Sequence, residues 1–515
     1  MHRDMRAVVL VACLFVLLGA PAARATSYEW DADANPVNGA NGGTGTWNTA
    51  LANWYDGVSA DVAWPNTQSP RVDAVIGGTF GPWTVTTGAN LYAGALNFET
   101  ASYTLVLVGA NQLHIMSLGG SQLSGTTLKG NSSNNRLWFD DASNPVTFNG
   151  ILDLSGTSGL QKEGAGTLVL NPASVSGSNG IGIYAGTVLL NGSAASIVTG
   201  SISVKDGSTT RSVLGGTGNY TVLFVQVNAR GDIAGTTLAG VLAPGDPASN
   251  SGIGTLTVAP TGGEPTVRFN GANQADCASI FRVQLASPTS YDKLVVNKGN
   301  PGINGGVRLN QGTKTFGAIL DLTVFPTFSG GSVGNFMKLI DVTSTTETLT
   351  GQFQNVANNS YQVFTNSSGA GYRFQYKYPY DTSGTQNDFG LLIDEIVTAD
   401  AGGAYSIDAG GEALSGSIAG GTGAAWAWDF DDNGTVDKTG QNPFVDLAYF
   451  TGTFGWAEGS THTIKLTVTD LNGVVAWDTT DLTLEAGAIP EPGTWALMGT
   501  GVLLGIGFLR RRRIK

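Results

Sequence analysis

The chain has 515 residues, of which 39 are acidic and 26 basic, for a net charge of −13. Charged residues make up 13% of it, against roughly 25% in ordinary globular domains, and 74 residues are glycine. An acidic chain with sparse cations excludes a nucleic-acid-binding surface, which needs a basic face to neutralise phosphates.

At the N-terminus, His2, Arg3 and Arg6 precede an apolar run from Ala7 to Ala20, and Ala23-Arg24-Ala25 is an A-x-A cleavage pattern. This predicts a secretory signal peptide over residues 1–25, processed after Ala25 and left out of the fold. Leu10-Val11-Ala12-Cys13 resembles a lipoprotein lipobox, but the apolar run continues to Leu18, so Cys13 reads as part of the signal core. Cys277 is then the one mature cysteine, and no internal disulfide is possible. Without eight of the 26 basic residues and two of the 39 acidic ones, the body from 26 to 489 has a net charge of −19. Such a surface repels nucleic acid and attracts cations.

Residues 26–90 hold Trp30, Trp47, Trp54, Trp64 and Trp83. These tryptophans suit either of two uses. They form a sugar-stacking platform, or they cover the open end of a strand stack, which is the favoured reading. Gly42 to Gly57, GGTGTWNTALANWYDG, resembles the start of passenger-like β-helix proteins.

From residue 91 to 396 the pattern is short β runs between Gly and Asn. Gly166 to Asn171 (GTLVLN) and Gly186 to Asn191 (GTVLLN) place Thr167 and Thr187 twenty residues apart in matching contexts. A period near 20 with one β run and one small-residue turn predicts a rung of a parallel β-helix, which buries its apolar face only by stacking. The stretches EGAGTLVLN (163–171), YAGTVLLNG (184–192), LGGTGNY (214–220) and LAPGDPASNSGIGTLTV (242–258) resemble the autotransporter-associated β-strand repeat. YDKLVVNKG (291–299), FMKLIDV (336–342) and GTQNDFGLLI (384–393) resemble the later rungs of such passengers, so the likeness covers about residues 40 to 395. A membrane barrel of alternating roughly ten-residue strands does not follow, which argues against self-export.

Residues 398–486 change character. Thr463 to Thr469 alternate polar and apolar, Asp470-Leu471-Asn472-Gly473 is a turn, and Val474 to Trp477 begin another strand. About 90 residues of this kind predict an immunoglobulin-like β-sandwich. AWDFDDNGTVD (427–437) and IKLTVTDLNG (464–473) resemble the PKD family, which implies a non-catalytic extracellular module for spacing or adhesion. Asp429, Asp431, Asn433 and Asp437 occupy positions 1, 3, 5 and 9 of a loop with Gly434 at position 6, a spacing that can converge on calcium. Position 12 is Gly440, so the bidentate glutamate of an EF-hand is missing. The competing and favoured reading is a loop using Asp and Asn for turn geometry alone.

Residues 487–515 have three parts in order. Pro490-Glu491-Pro492 is a rigid break; Trp495 to Leu509 carry no charge; Arg510, Arg511, Arg512 and Arg513 follow at once. An apolar run ending in arginines is the layout of a membrane segment whose basic end stays in the cytoplasm. At about 22 Å it falls short of a roughly 30 Å hydrocarbon core, so the membrane helix over 495–509 is marginal. The order resembles the PEP-CTERM sorting signal. That resemblance implies an exosortase-type enzyme as partner, cleavage near Pro490, and delivery from the inner membrane to the envelope, cell surface or extracellular matrix.

The candidates for chemistry are few. His114 and His462 lie in no metal or triad motif, Cys277 has no neighbouring histidine, and Lys129, Arg136, Lys162, Lys205 and Arg211 are sparse and unclustered. A β-helix polysaccharide lyase would need cations facing its substrate. Asp140 and Asp141, as adjacent strand residues, would point to opposite faces rather than converge for glycoside hydrolysis. The expectation is an all-β protein: a parallel β-helix, then an immunoglobulin-like sandwich, with a short C-terminal membrane helix. It is expected to be exported and non-enzymatic, with no cofactor unless calcium. A polysaccharide-binding adhesin is the alternative and a lyase or hydrolase the third reading.

Overall fold

The computed structural model describes residues 27–486 apart from short internal segments, of which 230–237 and 298–305 are the longest. The signal peptide with Ala25, and the tail with Pro490, Glu491, Pro492, the run Trp495 to Leu509 and Arg510 to Arg513, lie outside the described residues.

Strands make up nearly all the regular structure, and Leu447–Thr453 is the one α-helix among the described residues. Successive strands visit three sheets in rotation. Leu160–Glu163, Thr167–Leu170 and Ser174–Ser176 occupy one circuit. The next brings Ile181–Ile183 parallel to the first and Gly186–Leu190 parallel to the second. One sheet runs through fourteen strands in this way, from Asp61–Val62 to Leu349–Thr350. This is the strand order of a parallel β-helix. The fourteen-stranded sheet changes direction at its first edge, where Trp54–Tyr55 pairs antiparallel with both Ser27–Trp30 and Asp61–Val62.

The alternation of side chains explains the core. In Thr167–Leu170 the threonine and Val169 point outward while Leu168 and Leu170 are buried. Parallel register then stacks like on like: Leu168, Val188, Leu214, Leu242, Phe281 and Leu320 stand opposite one another on successive strands. Every member of that column is buried. Each such side chain contributes about 1.5–3 kcal/mol by burial, and the column exists only because neighbouring circuits share it.

The chain divides into two compact units. The first comprises the coil up to Gly331 with Asn335–Ser360 and Gln375–Leu392; the second comprises the described residues from Ile393 with Ser332–Gly334 and Tyr361–Phe374. In the second unit Thr461–Asp470 lies between Gly423–Asp429 and Val475–Leu484, antiparallel to both, and Tyr405–Ile407 pairs parallel with Val475–Leu484. Glu412–Ala413 pairs with Phe444–Val445 in a second, two-stranded sheet. Their common core holds Ile407, Leu414, Trp428, Phe430, Val445, Phe450, Leu466 and Leu482. The helix Leu447–Thr453 adds Phe450 to that core and is capped by Asp446, whose carboxylate accepts from Tyr449 N at 2.8 Å.

Candidate functional site

The acidic loop follows the strand Gly423–Asp429. Trp428 and Phe430 are buried on either side of Asp429 and anchor the loop's start. Asp429 accepts from Gly434 N at 2.8 Å and from Asn433 N at 3.2 Å. Gly434 has φ +83°, and Asp432 has φ +52°, which an aspartate adopts more readily than most residues. Across the loop, Asp437 accepts from Phe430 N at 2.7 Å. One carboxylate oxygen each from Asp429, Asp431 and Asp437 lies within 4.8 Å of the others. The fourth sequence candidate, Asn433, turns its amide to the loop itself, donating to Asp431 at 2.9 Å and accepting from Thr435 N at 2.7 Å. Burial pushes the Asp437 carboxyl up, and the charges of Asp431 and Asp429 add to that. Three hard oxygens in repulsion are a donor set that a divalent cation suits.

Four of the five tryptophans near the N-terminus, Trp30, Trp47, Trp54 and Trp64, do not form a sugar platform. Trp30, Trp47 and Trp54 are fully buried and Trp64 is 2% exposed. Their rings pack at 4.6–5.2 Å between centres, mostly edge to face. Those four indole faces are spent on each other, and a sugar cannot reach them. Trp83 stands apart, half-buried, with its indole N–H donating to Thr79 O at 2.7 Å.

The catalytic candidates are engaged in structural contacts. His114 is sandwiched between Tyr92 and Trp138, at 4.4 and 4.8 Å between ring centres. Asp140 pairs with Arg71 at 2.6 Å and lies 3.4 Å from His114. Burial opposes ionisation of Asp140, but His114 and Arg71 outweigh it and hold the carboxyl below its usual range. A carboxyl held ionised is a poor general acid. Asp141 lies outside the described residues. Cys277 is buried. His462 is half-buried rather than a free surface group, stacked on Trp456 at 3.6 Å.

The scattered cations prove to have local partners. Lys129 pairs with Asp153 at 2.9 Å and Arg136 with Glu163 at 3.1 Å. Arg136 and Lys205, far apart in sequence, both flank the Tyr184 ring at 5.9 Å. Lys162 is wholly buried and donates to the carbonyls of Gly164, Gly166 and Ala185 at 2.6, 2.5 and 2.8 Å.

Residues 488–513 match the PEP-CTERM protein-sorting motif. That motif is a substrate signal for exosortase-type processing and implies export and sorting to the cell surface. The chain is also 36% identical over 186 residues to the Adhesin BmaC autotransporter of Brucella suis biovar 1 (strain 1330), a stretch that is 35% of this chain. The match spans about 5% of that relative's length.

Proposed function

We propose that this chain is a non-enzymatic structural or adhesive protein of the cell envelope or extracellular matrix, held only transiently in the inner membrane. The observation that carries the reading is the sorting motif at 488–513. In this reading residues 1–25 start export, 26–90 cap the solenoid, 91–396 form it, 398–486 are a PKD-like immunoglobulin-type sandwich, and 487–515 stop export through the membrane segment 495–509. The pairing of Asp140 with Arg71, and of the scattered cations with partners of their own, supports a non-enzymatic body. Exchanging Pro490, Glu491 and Pro492 together for alanine tests the reading. The expected outcome is uncleaved protein retained in the inner-membrane fraction; unchanged delivery to the outer fraction would contradict it.

Adhesion to extracellular polysaccharide is the second reading, favoured by the likeness to a protein named an adhesin. Within the second unit, Asp429, Asp431 and Asp437 would hold calcium, which would neutralise their mutual repulsion and stiffen the loop.

A further inference from the structure

The outer face of the coil carries a cavity with polar and apolar lining. It forms where Ile280–Ser287 pairs in parallel with Ile319–Val324, bringing Arg282 opposite Asp321 and Gln284 opposite Thr323. Phe281, Val283 and Leu285 fill the core, so alternation turns Arg282 and Gln284 outward. Pro247, Phe325 and Pro326 complete the lining, around a volume of about 650 Å³. Small-molecule sites typically enclose roughly 300–1,000 Å³.

Gln284 lines this cavity yet is only 7% exposed, and its side-chain Oε1 accepts no hydrogen bond. A buried carbonyl-type oxygen without a donor is destabilising. Its backbone N–H donates separately to Asp292 at 2.9 Å. Beside it, the Arg282 guanidinium and the Asp321 carboxylate pair at 2.8 Å, which cancels net charge while leaving donor and acceptor positions at the cavity. The Thr323 hydroxyl adds a group that both donates and accepts.

We propose that this cavity binds a short segment of a neutral polysaccharide. A sugar hydroxyl would donate to Gln284 Oε1, neighbouring hydroxyls would bridge Arg282 and Asp321, and a C–H face of the ring would lie on Phe325. Arg282 and Asp321 are paired in the lining, and the acidic body around them repels a polyanion. The proposal deepens the adhesion reading and rests on it.

The test uses the tail-less exported chain with maltotriose, cellotriose, mannotriose and, as the anionic control, trigalacturonate, each followed by saturation-transfer NMR. The expected result is binding of at least one neutral trisaccharide and not of the control. Gln284→Leu and Phe325→Ala should each weaken that binding about tenfold or more. Gln284→Leu should melt no lower than the parent, because it removes an unpaired buried oxygen. Binding that survives both substitutions overturns this site and leaves adhesion standing elsewhere on the chain. No binding of any neutral probe by the parent overturns the site together with the polysaccharide reading; a stabilised Gln284→Leu beside that result would show that the amide held water alone.

Discussion

The Nζ of Lys162 lies 2.8 Å from the carbonyl oxygen of Ala185, one circuit further along the coil. With Gly164 and Gly166 it makes three carbonyl contacts, which match the three donors of an ammonium group. Burial drives the Lys162 pKa down to about 7, opposed by attraction to Glu163 and Asp140. Gly186, at φ +66°, leaves the space that Nζ occupies, since a Cβ there would meet Nζ and two of the same carbonyl regions. The G-T repeat and the buried lysine are thus one feature. Lys162→Met should lower unfolding free energy by about 1–3 kcal/mol by stranding carbonyls, read by urea denaturation of the purified chain.

Asp292 provides a pH dependence. Burial raises its carboxyl to about 7, although the N–H groups of Gly254 and Gln284 favour the charged form. The ordinary value is 3.8, so between about 4 and 7 the folded chain binds more of this proton than the unfolded chain does. The stabilising share of Asp292 is complete below that window and is lost as pH rises through it. The unfolding free energy of the parent, measured across the window, should fall relative to that of Asp292→Asn as pH rises. A pH-independent difference would contradict the assignment.

If the acidic loop binds calcium, the C-terminal unit should melt higher in millimolar calcium, since a ligand held only by the folded state stabilises it. Asp431→Ala should remove the shift. Equal melting temperatures across the titration would leave the loop to turn geometry alone.

Trp54 is fully buried against Trp30, Trp47 and Trp64. Trp54→Ala should therefore cost about 3–5 kcal/mol through the cavity it leaves, measured by thermal or urea unfolding. Glycan binding by whatever fraction remains folded should be unchanged, because no sugar reaches that indole.

The coil was legible where its circuit is regular. Thr167 and Thr187 stand directly opposite each other in parallel register, as their matching G-T contexts and spacing of 20 imply. Regularity then fails for a physical reason. Ile181 pairs with Ile202, but Val225 pairs with Val267 and Val267 with Val307, because long excursions enter at circuit corners without disturbing the stacked interior. Varying circuit length hides which outward residues become neighbours. Arg282 and Asp321 meet through strand register alone, and Pro247 and Phe325 join Gln284 at the cavity from elsewhere in sequence. The acidic loop was legible because its spacing is local, though the engagement of the Asn433 amide with Thr435 was not. The hydrogen bonds from Thr365 to Val475 and from Trp477 to Gly369, which tie Tyr361–Phe374 into the second unit, left no local signal either.

Sorting followed by release is the proposed route of delivery. Intact-mass analysis of the protein from its native host, combined with separation of inner-membrane and outer fractions, tests it most directly. Mature protein is expected in the outer fraction, starting near Thr26 and lacking roughly the last 25 residues, with cleavage near Pro490. Full-length protein still carrying Arg510 to Arg513, found only in the inner membrane, would contradict it and leave a permanent C-terminal anchor.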